Sequence, residues 1–289
     1  MSPSKEAVSP GEKADPLDFG GKVVVVTGGA RGVGRGISEG FLGAGADVVI
    51  CGRHVPAAED LPGRNGRTAV FVQADVRDAE QAAEVVAQTT GRFGRLDVLV
   101  NNAGGSPSVP AADASARFIS QVIALNLVAP FYCAQAANRV MQEQGQGGSI
   151  VNIASISGLR PSPGSAAYGA AKAGLINLTR SLAMEWAPKV RVNCVVAGMV
   201  ATEAADDHYG GPAGVEAVAA TVPLRRLGTP DDMAGVCLFL ASPLASYLAG
   251  AAIEADGGGE WPPFLAAVDS VTRKGQSADG HPACSDSAS

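Results

Sequence analysis

Short apolar runs rich in β-branched residues alternate with helix-like patterns along most of this chain of 289 residues. The first run, Lys22–Thr27 (KVVVVT), is apolar throughout its middle, as expected of a parallel strand that is buried on both faces. Strands that are each followed by a helix form a mostly parallel sheet, whose helices cover both faces through right-handed crossovers. The alternation therefore predicts an α/β fold with a doubly wound parallel sheet.

The remaining elements are placed by the same periodicity and by local helix signals. Strands are predicted at Asp47–Cys51, Thr68–Gln73, Leu96–Val100, Ser149–Ala154, Val190–Val196 and Ala251–Glu254, and helices over Arg35–Gly45, from Asp78, over Ala114–Glu143, over Ala166–Trp186 and from Thr229. Asp78 and Gln81 predict a capping box, and Thr229 before Pro230 predicts an N-cap. Because the composition does not change through the middle of the chain, we expect one domain over residues 18–265 and flexible tails at 1–17 and 266–289.

The composition argues against several classes of protein. Acidic residues outnumber basic ones by 28 to 22, so the chain has no basic excess with which to bind nucleic acid. The five cysteines form no Cys-x-x-Cys pair and the three histidines are far apart, so we expect buried free thiols, a reducing compartment and no metal site. No signal-peptide pattern and no run of about 18 apolar residues is found, which predicts a cytoplasmic protein without a membrane span.

A glycine-rich turn joins the first strand to the first helix. The segment from Thr27 to Gly34 reads TGGARGVG. Glycines let the backbone turn sharply and approach a ligand, and the following helix offers free N–H groups and a partial positive charge to a pyrophosphate. A purely structural turn is the alternative, but the place of this turn between strand and helix favours a dinucleotide site.

Tyr168 and Lys172 lie four positions apart in a predicted helix, so both side chains project from one face. A phenol with a pKa of about 10 is a poor base at neutral pH, and a nearby ammonium is expected to lower that pKa. The Tyr168 hydroxyl would then exchange a proton with a carbonyl or alcohol oxygen, which Ser155 would also hydrogen-bond. For such a pair taken alone, the alternative is a solvated helix face.

Three motifs, in order along the chain, resemble those of the short-chain dehydrogenase/reductase family. They are Thr27, Gly28, Gly32 and Gly34 (Thr-Gly-x-x-x-Gly-x-Gly), then Asn101, Asn102, Ala103 and Gly104, and then Ser155, Tyr168 and Lys172 (Ser…Tyr-x-x-x-Lys). The resemblance covers roughly residues 18–260 and implies a Rossmann-like sheet with strand order 3-2-1-4-5-6-7. It also implies that Asn126 is a fourth catalytic residue, which bends its helix and anchors a water, and that the chain forms a homotetramer or homodimer.

The residues at the end of the second strand are expected to determine the preference between NAD(H) and NADP(H). The resemblance places Gly52 where NAD-using relatives carry Asp; Arg53 follows, and Arg31 lies in the nearby glycine turn. A guanidinium suits a 2′-phosphate by charge and geometry, so NADP(H) is favoured; the alternative is a solvated Arg53 and the use of NAD(H). Together with the glycine turn and the arginines, the resemblance implies that the cofactor-binding residues are Gly28, Arg31, Gly32, Val33, Gly34, Arg53, Asp75, Val76, Asn102, Ala103, Gly104, Tyr168, Lys172, Gly198, Val200 and Thr202.

The sequence thus predicts an enzyme that transfers a hydride between NADP(H) and a small-molecule carbonyl or secondary alcohol, similar to 3-oxoacyl-carrier-protein reductases. Two alternatives stay open: an NAD-linked alcohol dehydrogenase of the same family, and a dinucleotide-sensing regulator with little turnover. Residues 201–222 predict a loop–helix flap over the site, with Asp206, Asp207, His208 and Tyr209 as candidates to face the substrate. The sequence does not select one substrate.

Overall fold

Seven parallel strands form the central sheet of the computed structural model, which describes residues 15–262 except 204 and 206–208, together with 264, 265 and 268. The strands are β1 (Val23–Thr27), β2 (Asp47–Gly52), β3 (Val70–Gln73), β4 (Val98–Asn101), β5 (Gly148–Ser155), β6 (Val190–Ala197) and β7 (Ala252–Ala255). They lie in the order β3-β2-β1-β4-β5-β6-β7, and every pairing is parallel. The predicted doubly wound α/β fold and its strand order are confirmed.

Helices cover both faces of this sheet. They are α1 (Gly32–Gly43), α2 (Ala79–Phe93), α3 (Ala116–Ile123), α4 (Ala129–Glu143), α5 (Ala166–Trp186), α6 (Pro212–Ala219) and α7 (Pro230–Ala241). Successive side chains of a strand point to opposite faces, so Val25 joins a core cluster with α2, α4 and α5, while Val24 and Val26 join a second cluster with α1 and α7. This explains why β1 is apolar at each position from Val23 to Val26.

Several element boundaries differ from their predictions. Helix α1 begins at Gly32 rather than at Arg35, so the last glycines of the turn belong to its first turn. The predicted third strand begins two residues too early, because Thr68 belongs to a two-stranded hairpin (Gly63–Arg64 with Arg67–Thr68) and β3 begins at Val70. The pattern of apolar residues cannot locate these boundaries. Glycine has no side chain to mark the start of α1, and a two-residue strand is too short to show an alternation.

The two predicted helix caps have different outcomes. Asp78 accepts hydrogen bonds from the N–H groups of Glu80 and Gln81, but the Gln81 side chain bonds the N–H of Asp75 instead of Asp78, so the predicted box is only half formed. Thr229 caps α7, and Asp232 completes a capping box there that the sequence analysis had not identified. The buried, free thiols predicted in the core are confirmed at Cys51, Cys133, Cys194 and Cys237, whereas Cys284 lies outside the described residues.

The predicted long helix is interrupted by a π-helical segment, Ala124–Val128, which joins α3 to α4. Asn126 lies in this segment, so the predicted local distortion of the helix at this residue is confirmed. The continuous run Ala116–Glu143 is, among the described helices, the one whose length and composition alone would allow it to cross a membrane. Polar residues such as Gln121 and Asn126 interrupt this segment, so it is not a run of about 18 apolar residues, and α4 packs against α2 and β4 in the core.

Candidate functional site

The carboxyl ends of β1 and β4 form the floor of a cleft. The chain order reverses between these two strands, and ligands of doubly wound sheets bind at such a switch point. The Thr27 hydroxyl oxygen accepts hydrogen bonds from the N–H groups of Asn102 (3.0 Å) and Ala103 (2.9 Å), and the Asn102 side chain donates to the Thr27 carbonyl at 3.0 Å. The Thr-Gly and Asn-Asn-Ala-Gly motifs are thus joined by their own hydrogen bonds.

Two glycines of the turn are required by close backbone approach. Gly28 has a φ of +65°, and a Cβ placed there would lie 3.2 Å from the Cα of Ala103. A Cβ on Gly34 would lie 2.3 Å from the Gly28 carbonyl oxygen and 2.4 Å from Asn102 Nδ2. Any larger residue at position 34 would therefore force the turn away from β4.

The N-terminus of α1 fits the pyrophosphate of a dinucleotide. Arg31 is the N-cap residue but makes no side-chain capping hydrogen bond, and the first turn of α1 carries no acidic residue. The first N–H groups of a helix have no partner within the helix, so those of Gly32, Val33 and Gly34 suit an anion. The sequence analysis missed one feature here: both carboxylate oxygens of Glu203 lie within hydrogen-bond distance of the Gly32 N–H, at 3.1 and 3.3 Å.

The proposed adenosine end of the cleft lies at the ends of β2 and β3. The exposed Arg53 is held through its backbone, because Gln73 donates to its carbonyl at 2.9 Å. The Asp75 carboxylate forms an ion pair with Arg77, which lowers the pKa of this carboxyl group. Sequence analysis did not anticipate Arg77 as the partner of Asp75. Val76 is buried in the core cluster beneath this edge.

Ser155, Tyr168 and Lys172 come together as the spacing predicted. The Ser155 hydroxyl lies near enough to the Tyr168 hydroxyl to lower the pKa of that phenol. Lys172 Nζ lies 5.5 Å from the centre of the Tyr168 ring and donates to the carbonyl of Ile153 at 2.8 Å. Serine at the end of β5 and a lysine one turn after the tyrosine in α5 therefore surround the same phenol.

The pKa of Tyr168 moves in the opposite direction from the one predicted. Burial raises the pKa of this phenol above its ordinary value, and the nearby Ser155 hydroxyl offsets only part of the rise. Burial also lowers the pKa of Lys172 to about 8, because its side chain is only 3% exposed. The expectation of an unusually acidic phenol was wrong for the protein alone, because burial of the phenol sets the direction of its pKa shift.

Asn126 connects the catalytic group to the cleft. Its side chain is fully buried; it accepts a hydrogen bond from the Gly105 N–H and donates to the carbonyls of Gly105 and Val122, each at 2.9 Å. A Cβ on Gly104 would lie 2.7 Å from Asn126 Oδ1 and 3.1 Å from Lys172 Nζ. The segment that follows β4 therefore lies directly against both polar groups.

The loop after β6 forms the other side of the cleft. The N–H of Gly198 donates to Ala255 at 3.0 Å, and Val200 pairs with Gly228 in an isolated parallel bridge. Thr202 reaches the glycine turn, since its Cγ2 lies 3.5 Å from the position of a Cβ on Gly32. The predicted flap contains α6 and includes the half-buried Tyr209, whereas Asp206, Asp207 and His208 lie outside the described residues.

Comparison with known proteins finds a matching family model and similar oxidoreductases. A family model described as enoyl-(acyl carrier protein) reductase matches residues 28–260. The chain is 38% identical to an L-rhamnose 1-dehydrogenase (NAD(P)(+)) of Azotobacter vinelandii, over 82% of this chain and 96% of that one. It is 35% identical to a 3-oxoacyl-[acyl-carrier-protein] reductase of Synechocystis sp., with the same two coverages of 82% and 96%.

Solved structures agree with the sequence relatives. A short-chain type dehydrogenase/reductase from Mycobacterium marinum superimposes with a TM-score of 0.77 at 32% identity, covering 86% of this chain and 99% of that one. Fold and site define a nucleotide-binding oxidoreductase that acts on CH–OH or C=O groups of small molecules. The chain belongs to the short-chain dehydrogenase/reductase family.

Proposed function

We propose that this protein reduces a carbonyl group, or oxidises the corresponding secondary alcohol, with NADP(H) as the cofactor. The observation that carries the proposal is the short segment after β4, which touches both the glycine turn and the catalytic group. Ala103 lies against Gly28 of the glycine turn, and the next residue, Gly104, lies against Lys172 of the catalytic group. Two adjacent residues thus link the proposed pyrophosphate site to the proposed proton donor.

The protein's own groups support reduction of a carbonyl. The cofactor, when bound, supplies the hydride, and the residues orient the reactants and move the proton. Since burial raises the pKa of Tyr168, the phenol carries its proton at neutral pH and can donate it from Oη to the carbonyl oxygen. Ser155 is placed to hydrogen-bond the same oxygen as negative charge develops on it.

Lys172 and Asn126 are proposed to support that proton transfer. With a pKa of about 8, Lys172 is mostly protonated at neutral pH, and its charge beside Tyr168 favours loss of the phenolic proton during the reaction. Asn126 and Lys172 share the space beneath Gly104, where a water held by Asn126 would continue a proton path. The four proposed catalytic residues are therefore Asn126, Ser155, Tyr168 and Lys172.

A Tyr168→Phe variant tests the proposed chemistry. We expect turnover of a ketone panel to fall by at least about 100-fold while NADPH still binds, because only the proton donor is removed. Tyr247→Phe is the matched control, since Tyr247 is fully exposed. Tight NADPH binding by the wild-type protein without turnover of any substrate would favour the dinucleotide sensor. Retained activity in the Tyr168 variant would exclude this residue as the proton donor.

The preference for NADP(H) is supported by the charges at the end of β2. Gly52 carries no acidic group that would repel a 2′-phosphate, and the neighbouring Arg53 is exposed. We expect Arg53→Asp to lower the preference for NADPH over NADH, measured as the ratio of kcat/KM values, by about 10- to 100-fold. Arg92→Asp, the same charge change on α2, should leave the ratio unchanged. An unaltered ratio in the Arg53 variant would contradict the assignment and favour the NAD-linked alternative.

The proposed function leaves open which substrate class the protein uses and how many copies of the chain assemble. The two named relatives differ in substrate, since one is named for L-rhamnose and the other for a 3-oxoacyl group on a carrier protein. A screen of sugars, acyl thioesters and simple ketones with both cofactors would choose between these classes. A homotetramer or homodimer stays the prediction for the assembly, and sedimentation equilibrium measures it directly.

A further inference from the structure

The carboxylate of Glu203 lies on the N-terminus of α1, although the two residues in contact are 171 positions apart in sequence. Its Oε2 and Oε1 lie 3.1 and 3.3 Å from the N–H of Gly32, with nearly equal distances to the two oxygens. Helix α1 has 12 residues and no side-chain cap from its own N-cap residue, Arg31. The flap therefore supplies the negative group that this helix end attracts.

The same N–H group belongs to the glycine turn that would hold the dinucleotide. A carboxylate and a pyrophosphate oxygen are both anionic acceptors, so they compete for one donor and repel each other at close range. We propose that Glu203 is a built-in competitor of the dinucleotide pyrophosphate and that it sets the affinity for the cofactor. This inference rests on the proposed function, because it requires a dinucleotide at the glycine turn.

The hydrogen bonds that hold the backbone up to Ala201 allow the Glu203 side chain to move away from Gly32 while that backbone stays in place. The N–H of Ala201 donates to the carbonyl of Gly228 at 2.8 Å, and the N–H of Gly228 donates to Met199 at 2.9 Å. These bonds fix the chain up to Ala201. Glu203 is exposed and lies in a turn closed by the hydrogen bond from the Ala205 N–H to the Thr202 carbonyl, so rotation of its side chain frees Gly32 without breaking these main-chain bonds.

A Glu203→Gln variant removes the charge and keeps the size of the side chain. NADPH affinity, measured by fluorescence titration, is expected to become about two- to fivefold tighter, the range for an exposed charge at a helix end. Inorganic pyrophosphate should raise the melting temperature of the variant more than that of the wild-type protein. Both differences should shrink as the salt concentration rises, because Glu203 is exposed and its charge is screened.

Glu216→Gln is the matched control, because Glu216 is an exposed acid on α6 of the same flap. It should change neither NADPH affinity nor the effect of pyrophosphate. Unchanged or weaker NADPH binding by the Glu203 variant would overturn the inference and leave Glu203 as a simple helix cap or a cofactor ligand. If the wild-type protein and both variants bind neither NADPH nor NADH, the proposed function fails and the Glu203 inference fails with it. If they bind with equal affinity, only the inference fails.

Discussion

Replacing Lys172 with methionine is expected to stabilise the protein at pH 7 while abolishing its proposed activity. The Lys172 side chain is 3% exposed, and its Nζ donates to one carbonyl, that of Ile153. Burial lowers its pKa from 10.5 to about 8, so charging this group costs more in the folded protein than in the unfolded chain. Methionine has a similar shape and no charge, so it avoids that penalty.

The size of the effect follows from the pKa difference. Each pKa unit corresponds to about 1.4 kcal/mol, so the buried ammonium of Lys172 lowers the free energy of unfolding by about 3 kcal/mol at pH 7. The variant leaves the Ile153 carbonyl without its donor, which costs about 1–3 kcal/mol. We therefore expect Lys172→Met to raise the free energy of unfolding by about 0–2 kcal/mol at pH 7, the difference between these two contributions.

The pH dependence of the difference identifies its cause. Between the folded pKa of about 8 and the unfolded pKa of 10.5, the unfolded chain holds the Lys172 proton while the folded protein has lost it. The stability of the wild-type protein therefore rises with pH in this window, and the penalty falls to about 1 kcal/mol at pH 9.5. The advantage of the variant should shrink by about 2 kcal/mol from pH 7 to pH 9.5.

Urea unfolding at pH 7 and at pH 9.5 measures both quantities. Lys189→Met is the matched control, since Lys189 also donates to a main-chain carbonyl, that of Gln142 at 2.6 Å, but is exposed. Its effect on stability should be the same at both pH values. If the effect of Lys172→Met did not change with pH, the ammonium would not carry a burial penalty, and the reasoning would be refuted.

Three further substitutions test the geometry of the site and the fold. Gly34→Ala should weaken NADPH binding at least about tenfold in a fluorescence titration, because the new Cβ would lie 2.3 Å from a carbonyl oxygen; Gly91→Ala, in open space on α2, should instead stabilise the protein by about 0.5–1 kcal/mol. Asn126→Ala removes three buried hydrogen bonds, so urea unfolding should show a loss of about 2–4 kcal/mol together with a lower kcat; unchanged stability would contradict the role given to these bonds. Thr229→Ala breaks the capping box of α7 and should cost about 1 kcal/mol without altering NADPH affinity; an affinity change would show that the cap also acts on the cleft.

Local patterns in the sequence predicted most of the fold and much of the site. Continuous apolar strands separated by helices predicted the doubly wound parallel sheet, because only strands buried on both faces are apolar at every position. The glycine turn and the Tyr168–Lys172 spacing placed candidate residues, since turns and helix faces depend on neighbours a few positions away. The strand order and the role of Asn126 came from the family resemblance.

Other features depended on where distant segments meet. The start of α1 at Gly32 could not be located by periodicity, because glycine has no side chain to contribute to the pattern. The contact between Glu203 and Gly32 joins residues 171 positions apart, and no local pattern encodes such a pairing. The rise in the pKa of Tyr168 is a third example, since packing alone sets how much water reaches the phenol.

The sequence by itself therefore determined which residues share a strand, a turn or a helix face. The tertiary structure decided how deeply Lys172 and Tyr168 are buried and which acid reaches the end of α1. The physical reason is that short-range geometry is fixed by the covalent chain, whereas burial and long-range electrostatics arise only when the two faces of the sheet are covered.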